Sequence, residues 1–255
     1  MCASKYYQYF GERFIPSQET ETIRKRDIEV IKSFLPLSEV KWILDIGCGG
    51  IIPALLAKEG YNIVGIDANN EFIQKGREKV KNIGIEDKVT LIYGDARNLE
   101  KYLNEKYEKK FDAVLMWEDV LPHFSIQEFN FILQSTAKYV KDKSRLLMSY
   151  VDIYKIMIEP GYKNRIIKKL NDTISSISVH KGYKENEGAF VRRHIICEGE
   201  NILDEFDLKV YIWSPSLVNF IADINGYELA KRSKVKFPFN SYESIIDLYK
   251  RVNYE

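Results

Sequence analysis

The stretch Trp42-Ile-Leu-Asp-Ile-Gly-Cys-Gly-Gly50 decides the fold of this 255-residue chain. It begins as a short apolar run, which is typical of a buried strand, and it changes at Gly47 into a glycine-rich turn. Pro53 then stands where the first turn of a helix tolerates proline, and a second apolar run ends in Val64-Gly-Ile-Asp67. A strand, a glycine turn, a helix and a strand with an acidic end form the unit with which α/β proteins build a nucleoside-binding crevice.

The alternation of strands and helices continues to about residue 150. Helices are predicted over residues 70–83 and after the capping box Ser125-Ile-Gln-Glu128. Five strands are predicted, over residues 41–46, 62–67, 89–93, 111–116 and 145–150. This rhythm predicts a doubly wound, mostly parallel Rossmann-like sheet of the α/β class, with helices on both faces and right-handed crossovers.

The rest of the chain is predicted to decorate this core. Residues 1–40 are expected to form an N-terminal helical lid, because aromatic and aliphatic residues recur there at roughly helical spacing. Residues 41–150 and 214–255 are expected to form the core, with residues 151–213 as an inserted cap of antiparallel β-hairpin and helix in the same domain. The remaining predicted elements are a turn at 141–144, a basic helix at 162–176, a hairpin of strands 189–197 and 202–213, a helix from Ser214 to Gly226, a strand at 227–237 and a helix at 242–251. No clear last strand follows Phe237, so the presence of an antiparallel edge strand stays open.

Composition narrows the function. The chain is 45% apolar and 29% charged with a formal charge of +1, which is typical of a globular protein without a strong field for nucleic acid. Basic stretches at 163–169 and 231–236 are interpreted as solvated faces. No apolar run suits a membrane span, and the N-terminus has no apolar signal core, so a cytoplasmic protein without a membrane partner is expected. Three cysteines and three histidines do not stand at ligand spacing, so no metal is expected.

Three observations bear on which nucleoside the crevice holds. The dinucleotide fingerprint G-x-G-x-x-G needs a third glycine where this chain has Ile52. Asp45 stands two residues before Gly47, which suits a ligand with an ammonium or sulfonium group better than a pyrophosphate. Asp67, about 20 residues past the glycines, is placed to accept hydrogen bonds from ribose hydroxyls.

The set Asp45-Ile-Gly-Cys-Gly-Gly50, Gly65-Ile-Asp-Ala68 and Gly94-Asp-Ala-Arg97 resembles the class I S-adenosylmethionine-dependent methyltransferases over most of residues 40–150. The segments Tyr7-Gln-Tyr-Phe-Gly-Glu12 and Lys209–Leu217 are similar to a small-molecule branch with a β-rich insertion after the fifth strand. The resemblance implies S-adenosylmethionine as cofactor, S-adenosylhomocysteine as product, and methyl transfer to nitrogen or oxygen of a small molecule.

The resemblance also implies roles for individual residues. Asp45 and the backbone of Gly47, Cys48, Gly49 and Gly50 would face the methionine tail, and Asp67 with Ala68 would hold the ribose. Asp95 would accept from the adenine amino group, with Ala96 and Arg97 beside the ring. Trp117 and Glu118 would flank the methyl group, and Tyr7 and Arg13 would reach the methionine carboxylate from the lid.

Several points stay open from the sequence. His123, after the fourth strand, is the candidate general base, although it could equally be a loop residue that only shapes the pocket. The family's third glycine falls on Ile51, which motivates a second hypothesis, a cofactor-binding regulatory protein without catalysis. An RNA or protein acceptor and, more distantly, a dehydrogenase activity also stay open. The inserted hairpin leaves a homodimer open.

Overall fold

The strands form two separate sheets in the computed structural model, which describes residues 2–118, 120–160, 162–237 and 242–252, apart from the side chains of residues 2–4 and 13. The helices are α1 (Cys2–Phe10), α2 (Gln18–Phe34), α3 (Ile52–Lys58), α4 (Asn70–Asn82), α5 (Ile126–Thr136), α6 (Ile153–Ile158) and α7 (Pro215–Ile224). The strands of the first sheet are β1 (Trp42–Ile46), β2 (Asn62–Asp67), β3 (Val89–Tyr93), β4 (Phe111–Met116), β5 (Val140–Tyr150), β10 (Tyr227–Val235) and β11 (Ser244–Arg251). The strands of the second sheet are β6 (Arg165–Lys169), β7 (Ile174–Lys184), β8 (Ala189–Glu198) and β9 (Asn201–Tyr211).

The first sheet has the spatial order β10-β11-β5-β4-β1-β2-β3. Strands β1 to β5 run parallel, whereas β11 pairs antiparallel with both β5 and β10. Its two faces are both buried, since Leu44 of β1 packs in a cluster with α5 and α7 while Ile43 packs with α2 and α3. The Rossmann-like α/β prediction is confirmed, because parallel strands covered by helices on both faces are its defining feature.

Local signals begin the helices where the sequence predicts them. The Ser125 side chain accepts from the Glu128 amide, and the Glu128 carboxylate accepts from the Ser125 amide, so the predicted capping box is present. Asn69 caps α4 by accepting from the Glu71 and Phe72 amides. These caps satisfy N–H groups that a helix start would otherwise leave without partners.

The turn predicted at residues 141–144 is wrong, because β5 begins at Val140 and runs through it. Ser144 is buried, and Lys141 reaches Asp112 of β4 with Nζ 2.5 Å from Oδ1. The chain turns earlier, at residues 137–139. Alternating lysines made an exposed strand end resemble a turn.

The basic helix predicted at residues 162–176 is also wrong. The segment forms β6, which is exposed at every residue, and the start of β7. The Asn171 carboxamide oxygen accepts from the Thr173 and Ile174 amides at 2.9 and 2.7 Å. Asparagine favours such turns by bonding to the backbone a few residues on, and here it joins two antiparallel strands into a hairpin.

The helix predicted at residues 242–251 is wrong in the same way, because this segment is the strand β11. Asp247 of β11 is fully buried, and its carboxylate accepts from the Tyr150 hydroxyl at 2.6 Å and from Arg232 Nε and Nη2 at 2.6 and 2.7 Å. The sheet therefore has the last antiparallel strand that the sequence did not indicate.

The second sheet lies within the segment predicted as a cap. The predicted hairpin is present as β8 and β9, and β6 and β7 extend it to four antiparallel strands. The division of the chain into lid, core and cap stays a prediction. Among the described residues, no helix is both long and apolar enough to cross a membrane.

Candidate functional site

A cavity of about 390 Å³ lies at the carboxyl ends of β1, β2, β3 and β4. Parallel strands present these ends along one edge of the sheet, where open α/β sheets bind ligands. The predicted site residues that line it are Tyr7, Gly47, Gly49, Asp67, Ala68, Asp95, Ala96, Arg97, Glu118 and His123. The fold thus brings together residues spread over more than a hundred positions of the chain.

The glycine turn after β1 forms one wall. Gly47 and Gly49 have φ angles of +69° and +58°, which glycine adopts without strain. A Cβ atom on Gly47 would lie 2.8 Å from Val120 Cγ2, so this approach also requires glycine. Ile51 has φ −101° and ψ −45°, and its side chain is fully buried. A β-branched residue is unstrained there, so the missing third glycine does not distort the turn.

Asp67 ties the turn to the next strand end. Its Oδ2 accepts from the Gly49 amide at 2.8 Å, and its Oδ1 accepts from the Asn69 amide at 2.7 Å. Burial raises the pKa of Asp67, and the two amides offset part of that rise. Each carboxylate oxygen has a second lone pair, so Asp67 retains accepting capacity toward the cavity.

Asp95 occupies the corresponding position after β3. Arg97 donates to it through Nε at 2.9 Å and Nη2 at 2.7 Å, and the Arg97 Nη1 atom lies 2.7 Å from Glu128 Oε1. Burial alone would raise the pKa of Asp95, but the hydrogen bonds from Arg97 outweigh it and hold that pKa below its usual value. The cavity therefore has an ionised acceptor at this end.

Asp45, Cys48 and Gly50 are not among the residues that line the cavity. Asp45 is buried, and neither of its oxygens has a hydrogen-bond partner among the described residues. Burial, and to a lesser degree the charge of Asp67, raises its pKa well above the usual value. Since a buried carboxylate without a donor is costly, Asp45 favours a cation in this part of the molecule.

Gly50 and Cys48 have packing roles in the structure. A Cβ atom on Gly50 would lie 2.5 Å from the Phe72 carbonyl oxygen of α4. The Cys48 side chain packs against Gly65 of β2, where a Cβ atom would lie only 2.7 Å from the Cys48 Sγ atom. Burial raises the pKa of the Cys48 thiol.

A buried ionic cluster supports the far wall. Glu118 lines the cavity with φ +52°, an uncommon conformation for a residue other than glycine. Arg24 of α2 donates through Nη1 to Glu118 Oε2, and the same atom lies 2.8 Å from Asp27 Oδ2. All three side chains are at most 2% exposed.

Sequence reasoning missed Arg24 and Asp27, because charged residues on a helix are usually solvated. One signal was available. Positions 24 and 27 share the i, i+3, i+4 stripe with the core residues Ile28 and Ile31.

Tyr7 and His123 meet in the wall of the cavity, with the Tyr7 hydroxyl 2.7 Å from His123 Nε2. Tyr7 comes from α1, and His123 ends the short turn Leu121–His123 that follows β4. The Tyr7 ring also packs against Phe14 and Phe72, each with ring centroids 5.6 Å away. The predicted lid residue Tyr7 and the predicted base His123 are therefore hydrogen-bonded to each other.

Trp117 is a further predicted site residue that is not among those that line the cavity. Trp117 packs in the core, with its ring centroid 6.0 Å from that of Phe237, and is 4% exposed. The backbone is left-handed at Glu118, and Glu118 lines the cavity while the adjacent indole packs in the core. The side chain of Arg13 lies outside the part of the chain that the structure describes. The roles of all these residues stay predictions.

The chain resembles known proteins over part and over all of its length. A family profile described as "Methyltransferase domain" matches residues 43–143. The ubiquinone biosynthesis O-methyltransferase of Pelagibacter ubique (strain HTCC1062) is 30% identical over 117 residues, which are 46% of this chain and 44% of that protein. The match therefore spans less than half the length of this relative.

Solved structures resemble the whole chain. The PH0226 protein from Pyrococcus horikoshii OT3 superposes with a TM-score of 0.70 at 22% identity, covering 97% of this chain and 99% of that one. CalS10 with bound S-adenosylmethionine, an amino pentose methyltransferase from Micromonospora echinaspora, superposes with a TM-score of 0.63 at 14% identity, covering 99% and 97%. At these identities the likeness establishes the fold. The profile match makes residues 43–143 similar to a methyltransferase domain.

Proposed function

We propose that this protein transfers the methyl group of S-adenosylmethionine to a nitrogen or oxygen atom of a small molecule. The observation that carries the proposal is the placement of Asp67 and Asp95 after adjacent strands, on one cavity with Gly47 and Gly49. A ribose donates two hydroxyls and adenine donates an amino group, so two carboxylates along one wall match a nucleoside. A pyrophosphate would instead require a nest of amides and would be repelled by these carboxylates.

The charges of the site fit the rest of the cofactor. Asp45 has no donor among the described residues and lies near the turn, so a ligand that brings ammonium and sulfonium charges compensates it. The chemistry that the cofactor supplies when bound is an electrophilic methyl group on a sulfonium. The protein's own contribution is to orient the acceptor and to exclude water, a role that suits the aromatic rings of Tyr7, Phe14 and Phe72, which line the cavity.

The Tyr7–His123 pair is the acceptor end of the site in this proposal. A hydroxyl or ammonium acceptor must lose a proton when it is methylated, and a base within hydrogen-bond reach accelerates that loss. The His123 imidazole lines the cavity and holds a hydrogen bond to the Tyr7 hydroxyl. We assign proton removal to His123 and its orientation to Tyr7.

The relatives support a small acceptor. The curated relative is named for ubiquinone biosynthesis and CalS10 for an amino pentose. A cavity of about 390 Å³ has the size of small-molecule sites.

Isothermal titration tests the cofactor half of the proposal. S-adenosylmethionine and S-adenosylhomocysteine are expected to bind at micromolar concentrations, while NADH serves as the control and gives no heat. Absence of binding by both nucleosides at high micromolar concentration contradicts the proposal.

Turnover tests the acceptor half. Formation of S-adenosylhomocysteine is measured with a panel of small phenols, alcohols and amines, and His123→Ala is expected to lower the rate on an accepted substrate by about 10²–10⁴-fold. Firm cofactor binding with no transfer to any member of the panel would instead favour a regulatory protein. Activity on RNA that falls steeply with salt would indicate a nucleic-acid acceptor.

Asp45→Asn is expected to raise the free energy of unfolding of the ligand-free protein at neutral pH by about 1–2 kcal/mol, because an amide costs less to bury than a carboxylate. The pKa of Asp45 is raised in the folded state, so the wild type loses stability as pH rises above the unfolded value of about 4. The gain of the variant should therefore vanish as pH falls toward that value. Urea unfolding at several pH values measures it.

Asp45→Asn is also expected to weaken the binding of S-adenosylmethionine more than that of S-adenosylhomocysteine, because only S-adenosylmethionine carries a sulfonium charge. Asp87→Asn, at an exposed carboxylate, is the matched control and should change neither stability nor affinity. An equal loss of affinity for the two nucleosides would argue against a role of the Asp45 charge in binding.

A further inference from the structure

Strand β9 of the second sheet contacts both elements that carry the Tyr7–His123 bond. It packs against α1, which carries Tyr7, and against the turn Leu121–His123. The Trp213 indole, just beyond β9, donates to the Phe124 carbonyl at 3.1 Å and fixes the same turn from its other end. One strand outside the parallel sheet therefore holds both partners of a bond at the cavity.

Helix α1 contacts the two parts of the molecule with different residues. Tyr7 packs against Phe72 of α4 at the cavity. Tyr6, Tyr9 and Phe10 instead meet the second sheet. A helix held on two sides has a defined rotation about its axis, and that rotation decides where the Tyr7 hydroxyl lies.

The aromatic part of this contact centres on His194 and Phe206. The two residues are cross-strand neighbours in β8 and β9, and their rings stack with centroids 5.3 Å apart at 11°. Tyr6 and Phe10 approach the His194 ring edge-on, at 5.4 and 5.5 Å. His194 is 6% exposed, and neither ring nitrogen has a hydrogen-bond partner among the described residues. Burial lowers the pKa of His194 to about 4, so its ring is a neutral aromatic surface at neutral pH.

The polar part of the contact centres on Asp204 of β9. The Lys5 Nζ atom lies 2.8 Å from Asp204 Oδ1, and the Tyr9 hydroxyl donates to Oδ2 at 3.3 Å. Asp204 and Phe206 are two positions apart on the strand, so both face α1.

We propose that Asp204, Phe206 and His194, together the α1 clamp, are positioning residues that hold Tyr7 against His123. The antiparallel sheet would thus set the geometry of the acceptor end without touching the acceptor. The functional role of this clamp rests on the proposed methyl transfer, whereas its structural role is to hold α1 in place.

Hydrogen–deuterium exchange of the full chain without ligand tests the clamp. In Asp204→Ala/Phe206→Ala, the amides of residues 2–10 are expected to exchange at least tenfold faster than in the wild type. Asp204→Ala alone, which leaves the aromatic packing in place, should give a smaller increase in the same residues. Glu205→Gln is the matched control, because Glu205 lies on the opposite face of β9 and pairs with Arg193. Unchanged exchange over residues 2–10 in the clamp variants overturns the proposal.

A second readout separates positioning from general loosening. The chain has three histidines, so the ring resonances of His123 are assigned by single substitutions. The clamp variants are expected to shift the His123 resonances toward those of Tyr7→Phe, and to add no further shift in the Tyr7→Phe background. An equal shift in both backgrounds would mean that the clamp does not act through Tyr7, and would overturn the positioning role.

These measurements need no cofactor. If the wild type binds neither S-adenosylmethionine nor its product, the proposed function fails while the exchange and resonance data still decide the clamp. If the wild type binds both and the exchange data are unchanged, the clamp fails alone.

Discussion

Asp67→Ala is expected to weaken the binding of S-adenosylhomocysteine by at least about 100-fold, which corresponds to roughly 3 kcal/mol. The carboxylate holds the Gly49 and Asn69 amides at 2.8 and 2.7 Å. Its removal therefore loosens the glycine turn and deletes the acceptors for the ribose hydroxyls in one step. Isothermal titration of the wild type and the variant measures the change.

One further variant shows which of these two effects is larger, and another serves as the control. Asp67→Asn keeps one acceptor oxygen and the size of the side chain, so it should lose less affinity than Asp67→Ala. Asp142→Ala removes an exposed carboxylate that pairs with Lys109 at 2.9 Å, and it should bind as the wild type does. An Asp67→Ala protein that is folded and binds within threefold of the wild type would contradict the assignment of the ribose site.

Arg24→Met is expected to lower the free energy of unfolding by about 3–5 kcal/mol, because it leaves two buried carboxylates without their cation. Arg24 is 1% exposed, and both Asp27 and Glu118 accept from it. Since Glu118 lines the cavity, its displacement should also weaken cofactor binding. Urea unfolding gives the stability, and titration gives the affinity.

Arg26 provides the matched control on the same helix, since it is exposed. Arg26→Ala should change the stability by less than about 0.5 kcal/mol. Adding Asp27→Asn and Glu118→Gln to Arg24→Met should restore part of the stability, because neutral amides need no cation. Similar losses for Arg24→Met and Arg26→Ala would show that the cluster is not buried in solution.

The parallel half of the sheet could be predicted because its signals are local. Strand β2, for example, is bounded by Gly60 and by the polar residues after Asp67, and the structure has it at the predicted residues. The ends of such strands meet along one edge of the sheet whatever the packing details, so ten of the predicted site residues line one cavity. The positive φ angles of Gly47 and Gly49 could also be predicted, because a glycine-rich turn after a strand is a local signal.

The errors occur where tertiary contacts outweigh local pattern. Strand β11 is buried on both faces over Ser244–Tyr249, so it shows no alternation. Its Asp247 is accommodated by Tyr150 and Arg232 from other strands and by Tyr249 of the same strand. Arg24 was missed for the same reason, since its partner Glu118 lies 94 positions away. Trp117 and Glu118 were both predicted to flank the methyl group. The backbone is left-handed at Glu118, and Glu118 lines the cavity while Trp117 packs in the core.

The position of β11 has a consequence for how the chain folds. Strand β10 pairs with β11 and lies at the edge of the sheet, so it has no partner until the residues that follow it have been synthesised. Strand β11 in turn must find β5, almost a hundred positions earlier in the chain. Contacts of such sequence separation form slowly, because the loop entropy is lost before the pairing is gained. The parallel half, with the cofactor cavity, can therefore assemble first, and the Asp247 network closes the sheet as a late step of folding.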